Sequence, residues 1–418
     1  MKEDILGAID SPHKLESLYR SNVKAFEQAL PDALAAKPAA SLLQAWNERL
    51  FFKDPASPKA DPSQSRDIGW VIALSLLAGT LVKLPSFLPL LNDERFYARN
   101  VAGILAGALM AFFCILRSCP KNTVRNLALL GLGSLLFLNF LPESSKSDTL
   151  VLSCMHTPFF LWSLLGVAFL GGNWKNLSGR MDFIRFNGEL LIYSTMILIG
   201  GMVLTGLTFA LFSLIHLSIE EWYLQNVVVY GSVAAPIVAT WVVARIVGNR
   251  FKIAPLLAKI FTPLFLLTTV AYLLAMGIQH KSPFTDRDFL IAFNGLLLVV
   301  LGLCVFSISE RGMKDSPGLV DVMNMGLVAI TLLIDLVALS AILFRLSSYG
   351  FSPNRLAVLG GNLLAFCHLA GILYRYVRFA QRRQPLESLE NWITGYIPVY
   401  TTWSVIVAMA FPLMFRFR

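Results

Sequence analysis

The stretch Gly326–Leu346, "GLVAITLLIDLVALSAILFRL", is apolar for almost its entire length. Its only charged residues are Asp335, near the middle, and Arg345, near the end. A run of about twenty apolar residues is long enough to cross the hydrocarbon core of a bilayer as one α-helix. The stretch therefore predicts a membrane-spanning helix and indicates the fold class of the chain around it.

Apolar runs of similar length recur along much of the chain. Of its 418 residues, 56% are hydrophobic, whereas a soluble domain has about 45–50%. The runs predict eleven membrane spans, at residues 68–91, 98–117, 124–141, 149–171, 189–216, 226–247, 253–277, 288–308, 323–345, 355–377 and 395–415. We therefore expect an all-α fold, a polytopic membrane helix bundle over residues 68–418.

Residues 1–52 have a different pattern, in which apolar positions recur at the spacing of short amphipathic helices. Ser11 suits a helix N-cap, and Pro12 suits the first helical position. The segment lacks the apolar core of a signal peptide, so we expect a small helical domain that is not cleaved from the chain. Its core would be marginal alone, so we expect it to pack on itself, the membrane part or a partner protein. Residues 53–67, rich in Pro, Ser and charge, predict a linker.

The formal charge of +9 arises within the membrane part, because residues 1–66 contain nine basic and nine acidic side chains. Basic loop residues that fix membrane topology account for such an excess, which argues against a nucleic-acid-binding surface. Lys and Arg near the span ends number 18 on one side and 9 on the other. This bias predicts a cytoplasmic N-terminal domain and a C-terminus outside.

The segment "SSYGFSPNR", residues 347–355, separates the opening stretch from the next apolar run. Gly350 can take the positive φ that ends a helix. Ser352 suits an N-cap, and Pro353 suits the first position of the following helix. The segment therefore predicts a tight hairpin between two membrane helices, on the outer side.

The motif "YGFSPNR" resembles the Tyr-Gly-Leu-Thr-x-x-Arg hairpin of bacterial membrane proteins grouped as domain of unknown function 4153. The matching residues are Tyr349, Gly350 and Arg355, while Phe351 and Ser352 replace the usual Leu and Thr. The resemblance covers about residues 70–415, and the hairpin is its most specific part. It implies a bacterial inner-membrane protein and supplies no reaction.

The common signatures of enzymes are absent from the sequence, including HExxH, GxSxG, the P-loop and the Gly-rich dinucleotide fingerprint. The five histidines are scattered, and no CxxC occurs among the five cysteines. Cys154 and His156 lie close in sequence without a third ligand nearby. We therefore predict no enzyme activity, no metal site and no cofactor.

Polar residues at membrane depth are the strongest functional signal, because each is costly unless paired or hydrated. The candidate intramembrane polar site consists of Asp335, His368, His156, Lys83 and Asn294. Lys83 suits snorkelling to the outer interface, and the two histidines suit neutral hydrogen bonding between helices. Asp335 is open to a functional role or a structural one. Because Asp335 and His368 lie at similar depth on consecutive helices, we expect them to be neighbours.

These observations favour a non-enzymatic sensor or scaffold that couples the cytoplasmic helical unit to the membrane bundle. The alternative is a proton-coupled transporter of a small solute that uses Asp335. A lipid- or glycan-modifying membrane enzyme has less support, since its acids, bases or metal ligands are missing from the loops. The expected partners are the lipid bilayer and a protein that binds residues 1–52; assembly as a homo-oligomer is left open.

Overall fold

A computed structural model describes residues 1–51, 62–88, 93–142, 147–214, 216–247, 254–278, 287–311 and 317–417. Every regular element in these ranges is a helix. The chain divides into two compact units, Met1–Ser65 and Arg66–Arg418. The fold is therefore all-helical over the described residues, as predicted.

The N-terminal unit contains four short helices. They are α1 (Lys2–Gly7), α2 (Pro12–Ser21), α3 (Val23–Ala36) and α4 (Ser41–Phe51). Ser11 precedes α2 in an extended conformation and Pro12 begins it, as predicted. Leu15 of α2, Phe26 of α3 and Leu43 of α4 are fully buried in one core. The four helices thus bury their apolar faces against one another.

The rest of the chain forms longer helices. They are α5 (Pro62–Val82), α6 (Leu84–Phe87), α7 (Asp93–Leu116), α8 (Lys121–Phe140), α9 (Asp148–Phe169), α10 (Leu177–Leu214), α11 (Glu220–Tyr223), α12 (Val229–Trp241), α13 (Ala254–Ile278), α14 (Arg287–Ser309), α15 (Leu319–Tyr349), α16 (Pro353–Ala380), α17 (Leu386–Gly395), α18 (Ile397–Val405) and α19 (Phe411–Met414). Three π-helical segments continue α11, α12 and α18, at Leu224–Val228, Val242–Val247 and Ile406–Ala410.

Eight helical segments among the described residues are long and apolar enough to cross a membrane. They are Glu94–Leu116, Lys121–Phe140, Asp148–Phe169, Leu177–Ala210, Glu220–Arg245, Leu319–Tyr349, Pro353–Ala380 and Leu386–Met414. The other three predicted spans, 68–91, 253–277 and 288–308, fall largely on α5, α13 and α14, which are helical but are not among the eight. The chain is consistent with a multi-pass membrane protein.

Helix α5 begins inside the predicted linker of residues 53–67, so the last residues of that segment are helical. Its first residue is Pro62, whose fixed φ suits the first turn of a helix. Asp67, in the second turn, is buried and lies 2.6 Å from the guanidinium of Arg245. This ion pair ties α5 to the π-helical segment that follows α12. Residues 52–61 lie outside the described part of the chain.

The predicted hairpin between α15 and α16 is confirmed. Gly350 follows α15 with φ 75° and ψ −179°. The Ser352 hydroxyl accepts a hydrogen bond from the Arg355 backbone N–H, 3.3 Å away, and Pro353 begins α16. The Arg355 guanidinium donates to the carbonyls of Tyr349 and Gly350, at 2.8 and 2.7 Å. Arg355 thus satisfies backbone acceptors at the end of α15, which stiffens the turn.

A core of buried residues joins α14, α15, α16 and α17. Leu297 and Cys304 of α14 pack with Leu369 and Ile372 of α16 and with Ile393 of α17. Helix α16 runs beside α15 over much of its length and also contacts α17. This packing holds one face of α16 against the region where α17 continues into α18.

Candidate functional site

A cavity of about 880 Å³ lies between helices α9, α10, α13, α14, α16, α17 and α18. Most of its lining is aliphatic or aromatic, and includes Phe159, Trp162, Leu298 and Phe306. Among the described residues, its polar lining side chains besides the indole of Trp162 are Asn187, His368 and Tyr400. Small-molecule sites in proteins have this size and this combination of apolar walls with a few polar groups.

His368 is held at the edge of this cavity by aromatic residues of α17 and α18. Its Nδ1 lies 3.0 Å from the Tyr400 hydroxyl. Its ring stacks on Tyr396, with centroids 4.4 Å apart and planes 6° from parallel. The Trp392 indole N–H donates to the His368 carbonyl at 3.1 Å. These contacts hold the imidazole ring in a single orientation.

The three aromatic residues share one face because of their spacing in the sequence. Trp392, Tyr396 and Tyr400 recur every four residues, which places them one above another on a helical surface. The Trp392–Tyr396 and Tyr396–Tyr400 ring centroids are 5.5 and 5.2 Å apart. This stack was not predicted, although the four-residue recurrence of aromatic residues is a signal that could have found it.

The His368 ring has an unused hydrogen-bonding atom. The side chain is only 3% exposed, and its Nε2 has no hydrogen-bond partner in the described part of the chain. A buried polar atom without a partner costs about 1–3 kcal/mol. His368 and Tyr400 therefore form a polar pair at the wall of an apolar cavity, with the unpartnered Nε2 buried in the protein rather than open to the cavity.

Asn187, the other polar lining residue, is already satisfied by the protein. Its Oδ1 accepts from the Trp162 indole N–H at 2.9 Å, and its Nδ2 donates to the Phe183 carbonyl at 2.5 Å. The amide therefore fixes the wall between α9 and α10. Gly302, by contrast, leaves open space, because a Cβ built there would meet no atom within 4 Å.

Asp335 does not join His368. It is 2% exposed, and neither carboxylate oxygen has a hydrogen-bond partner among the described residues. No hydrogen bond joins Asp335 to His368, whose Nδ1 bonds Tyr400 and whose Nε2 has no partner among the described residues. Helix α15 places the neighbouring Ile334 and Ala338 in a core with Phe293 of α14. Depth along a helix follows from counting residues, whereas the direction in which a side chain points does not.

The other candidate residues are separated from one another. The Lys83 ammonium is buried and donates to the Asn226 side chain at 2.5 Å, so it does not snorkel as expected. His156 Nδ1 lies 2.9 Å from the carbonyl of Leu152, in its own helix. Across the described residues, no hydrogen bond joins any two of the five candidates.

Asn294, the fifth candidate, lies on α14 and pairs with a residue of α16. Its Oδ1 accepts from the Asn362 amide at 2.7 Å. This bond holds the two helices together, as a polar pair between membrane helices does. Of the five candidates, His368 lines the 880 Å³ cavity and the other four do not.

A buried polar cluster at the other end of these helices was not predicted. Asp321, which begins the buried face of α15, accepts from Arg311 at 3.0 Å, from the Gly318 N–H at 2.6 Å and from the Tyr376 hydroxyl at 2.7 Å. The Asn324 amide donates to the Ser307 hydroxyl at 2.8 Å. Asp321 and Asn324 are both buried.

No family model, curated protein or solved structure matches this chain. The resemblance of the Tyr349–Arg355 hairpin to family 4153 therefore stays a resemblance of sequence. The geometry of the cavity is the observation from which a function can be inferred.

Proposed function

We propose that the chain is a multi-pass protein of the bacterial inner membrane that acts as a non-enzymatic sensor of an apolar membrane ligand. The 880 Å³ cavity carries this proposal, because its walls are apolar and several of the helices around it are long enough to span a bilayer. A cavity of this kind repels water and accepts hydrocarbon. The small helical unit at residues 1–51 would report occupancy to a cytoplasmic protein partner. The resemblance to family 4153 supports the location.

Photolabelling of the full-length protein in lipid nanodiscs tests binding in the cavity. The probe is hexadecane that carries a photoactivatable diazirine, and labelled peptides are identified by mass spectrometry. We expect labelling at the cavity wall, on residues such as Phe159 and Leu298. The variant Gly302→Leu fills open space in the cavity, so it should reduce this labelling severalfold.

Gly295→Leu is the matched control for Gly302→Leu. Gly295 lies two turns earlier on α14, a Cβ there also meets no atom within 4 Å, and it does not line the cavity. This variant should label like the wild type. Equal labelling of the cavity peptides in the wild type and in Gly302→Leu would contradict the proposed site.

Hydrogen exchange of residues 1–51 tests the coupling to the N-terminal unit. A sensor should change the exchange rates of α1–α4 when the probe is added, and Gly302→Leu should abolish that change. Exchange rates that do not respond to a bound probe would leave a ligand-binding bundle without a sensor function. The experiment therefore separates binding from signalling.

A proton-coupled transporter is the second candidate, and the buried Asp335 favours it. A carboxylate that is 2% exposed and has no hydrogen-bond partner in the described ranges takes up a proton readily or needs a cation. Asp335 is not among the residues that line the 880 Å³ cavity. Proton flux into proteoliposomes tests this candidate, because Asp335→Asn should stop the flux and Asp335→Glu should retain part of it.

A further inference from the structure

The arginines around α17 fall into two groups. Arg185 lies 3.0 Å from Asp182 and from Glu390, and Arg311 lies 3.0 Å from Asp321. The second group stands at the end of α16 and directly after it, and consists of Arg375, Arg378, Arg382 and Arg383. Among the described residues, no carboxylate lies within 4 Å of a guanidinium of this second group. The structure thus separates arginines that the protein neutralises from a cluster that it leaves charged.

Arg375 has the most firmly fixed position in this cluster. Its guanidinium lies 4.1 Å from the centre of the Trp392 ring, close enough for a cation–π contact. The indole is itself held in place, because its N–H donates to the His368 carbonyl at 3.1 Å. It also packs where Gly371 has no side chain, since a Cβ there would overlap the ring. Trp392 is therefore a fixed platform for the charge of Arg375.

Most N–H groups of Arg375 are available to a ligand. Its hydrogen bond to the Gly371 carbonyl is long, at 3.5 Å, and a guanidinium has five N–H donors in all. Arg180 differs, although it also lies over a tryptophan, because it donates to the carbonyls of Trp174 and Thr394 at 2.7 and 3.1 Å. Arg375 is thus positioned by its ring contact and keeps its donors.

An open groove between the end of α16 and the start of α17 adjoins this guanidinium. It is lined by Arg375, Pro385, Glu387, Ser388, Asn391 and Trp392. Glu387 offsets part of the positive charge, whereas Glu390 is already paired with Arg185. Four arginines therefore stand against one unpaired carboxylate at this corner of the described structure. The groove favours an anionic ligand, and a guanidinium can bind two oxygens of a phosphate at once.

The place of the cluster in the fold indicates where such a phosphate comes from. Helix α16 is among the segments long and apolar enough to cross a membrane, and the four arginines lie in its last two turns and directly after it. They belong to the side that we predict to be cytoplasmic. A cluster of four or more basic residues directly after a span attracts anionic lipids, and tryptophan is enriched at the membrane interface.

We propose that this groove binds the head group of an anionic phospholipid, with the lipid phosphate on Arg375. The attraction of the other three arginines, Arg378, Arg382 and Arg383, adds to this contact. The proposal requires that the bundle lies in a membrane. It does not depend on the 880 Å³ cavity or on a sensor function, so either can fail without the other.

Native mass spectrometry of the full-length protein in a non-ionic detergent tests the proposal. The protein is titrated with palmitoyl-oleoyl phosphatidylglycerol, which is anionic, and with the phosphatidylcholine of the same chains, which has no net charge. The wild type should bind phosphatidylglycerol at about tenfold lower concentration, because each arginine near a membrane surface strengthens the attraction of anionic lipid by about fivefold.

Arg375→Gln removes the charge and the two-pronged donor, so the preference for phosphatidylglycerol should fall to about twofold. Arg125→Gln is the matched control. Arg125 is an exposed arginine of α8 on the same predicted side, and it does not line the groove. Its loss changes the net charge equally and should leave the preference unchanged. Ser388→Asp adds a carboxylate to the groove without removing an arginine, and it should also lower the preference. This variant serves as the test if Arg375→Gln does not fold.

Three results would overturn the proposal. Equal binding of the two lipids by the wild type would exclude a site for anionic lipid. Equal effects of Arg375→Gln and Arg125→Gln would show that the lipid responds to the net charge of the chain and not to the groove. Displacement of phosphatidylglycerol by an excess of soluble glycerol phosphate would assign the groove to a free phosphate ester instead of a lipid.

Discussion

At Gly350 the backbone has a combination of φ and ψ that only glycine adopts at low cost. With φ 75° and ψ −179°, a Cβ is strained by its own backbone, even though no other atom lies within 4 Å of it. We predict that Gly350→Ala destabilises the protein by about 1–3 kcal/mol, measured as a lower thermal unfolding temperature in detergent.

Gly361→Ala is the matched control for Gly350→Ala. Gly361 lies in the middle of α16 with ordinary helical geometry, and a Cβ there also meets no atom within 4 Å. Alanine should be neutral or stabilising at that position, by up to about 1 kcal/mol. Equal unfolding temperatures for both variants would show that the turn at Gly350 tolerates a side chain.

Single residues were predicted well where the reason is local and poorly where it depends on distant helices. Gly350, Ser352 and Pro353 could be assigned because turn and capping preferences act between chain neighbours. The partner of His368 could not, since Tyr400 lies 32 residues away on another helix. Helical periodicity fixes which residues share a face, but the direction of that face depends on packing.

The buried cluster around Asp321 holds three helices together. The carboxylate of α15 accepts from Arg311, which follows α14, and from Tyr376 of α16. We predict that Asp321→Ala lowers the free energy of unfolding by about 3–5 kcal/mol, because donors in a buried site lose their charged acceptor. Tyr376→Phe should cost less, about 1–2 kcal/mol, since it removes the hydrogen bond to Asp321 and a longer one, 3.4 Å, from the Asn324 amide. Denaturant unfolding in mixed micelles measures both.

Asp182→Ala is the control for Asp321→Ala, because Asp182 also bonds an arginine. Its side chain is 62% exposed and lies 3.0 Å from Arg185. Exposed ion pairs contribute little, so the cost should be at most about 1 kcal/mol. Similar losses in the free energy of unfolding from both variants would show that the Asp321 cluster stabilises the protein no more than a surface ion pair does.

The helices themselves were predictable from apolar run length, but their ends were not. Hydropathy detects the part of a helix that lies in hydrocarbon and gives no signal for a polar extension. Helix α5 therefore begins at Pro62, six residues before the predicted span. Its extension is stabilised by the Asp67–Arg245 pair, whose partners are distant in the sequence.

The topology of the whole molecule is a prediction that the charge distribution supports. Eighteen Lys and Arg residues near the span ends fall on one predicted side and nine on the other. Basic residues favour the cytoplasmic side, so the N-terminus should be inside. An odd number of spans, such as eleven, then requires the C-terminus to be outside, whereas an even number requires it to be inside.

Reporter fusions at both ends of the chain test this topology. A fluorescent protein that matures only in the cytoplasm should be bright at residue 1 and dark at residue 418, and a periplasmic phosphatase should give the reverse pattern. A bright fusion at both ends would mean an even number of spans. In that case at least one of α5, α13 and α14, the helices outside the eight that meet the length and hydropathy criteria, would not cross the membrane. A dark fusion at residue 1 would contradict the charge argument itself, because the 18-to-9 bias would then point to the wrong side.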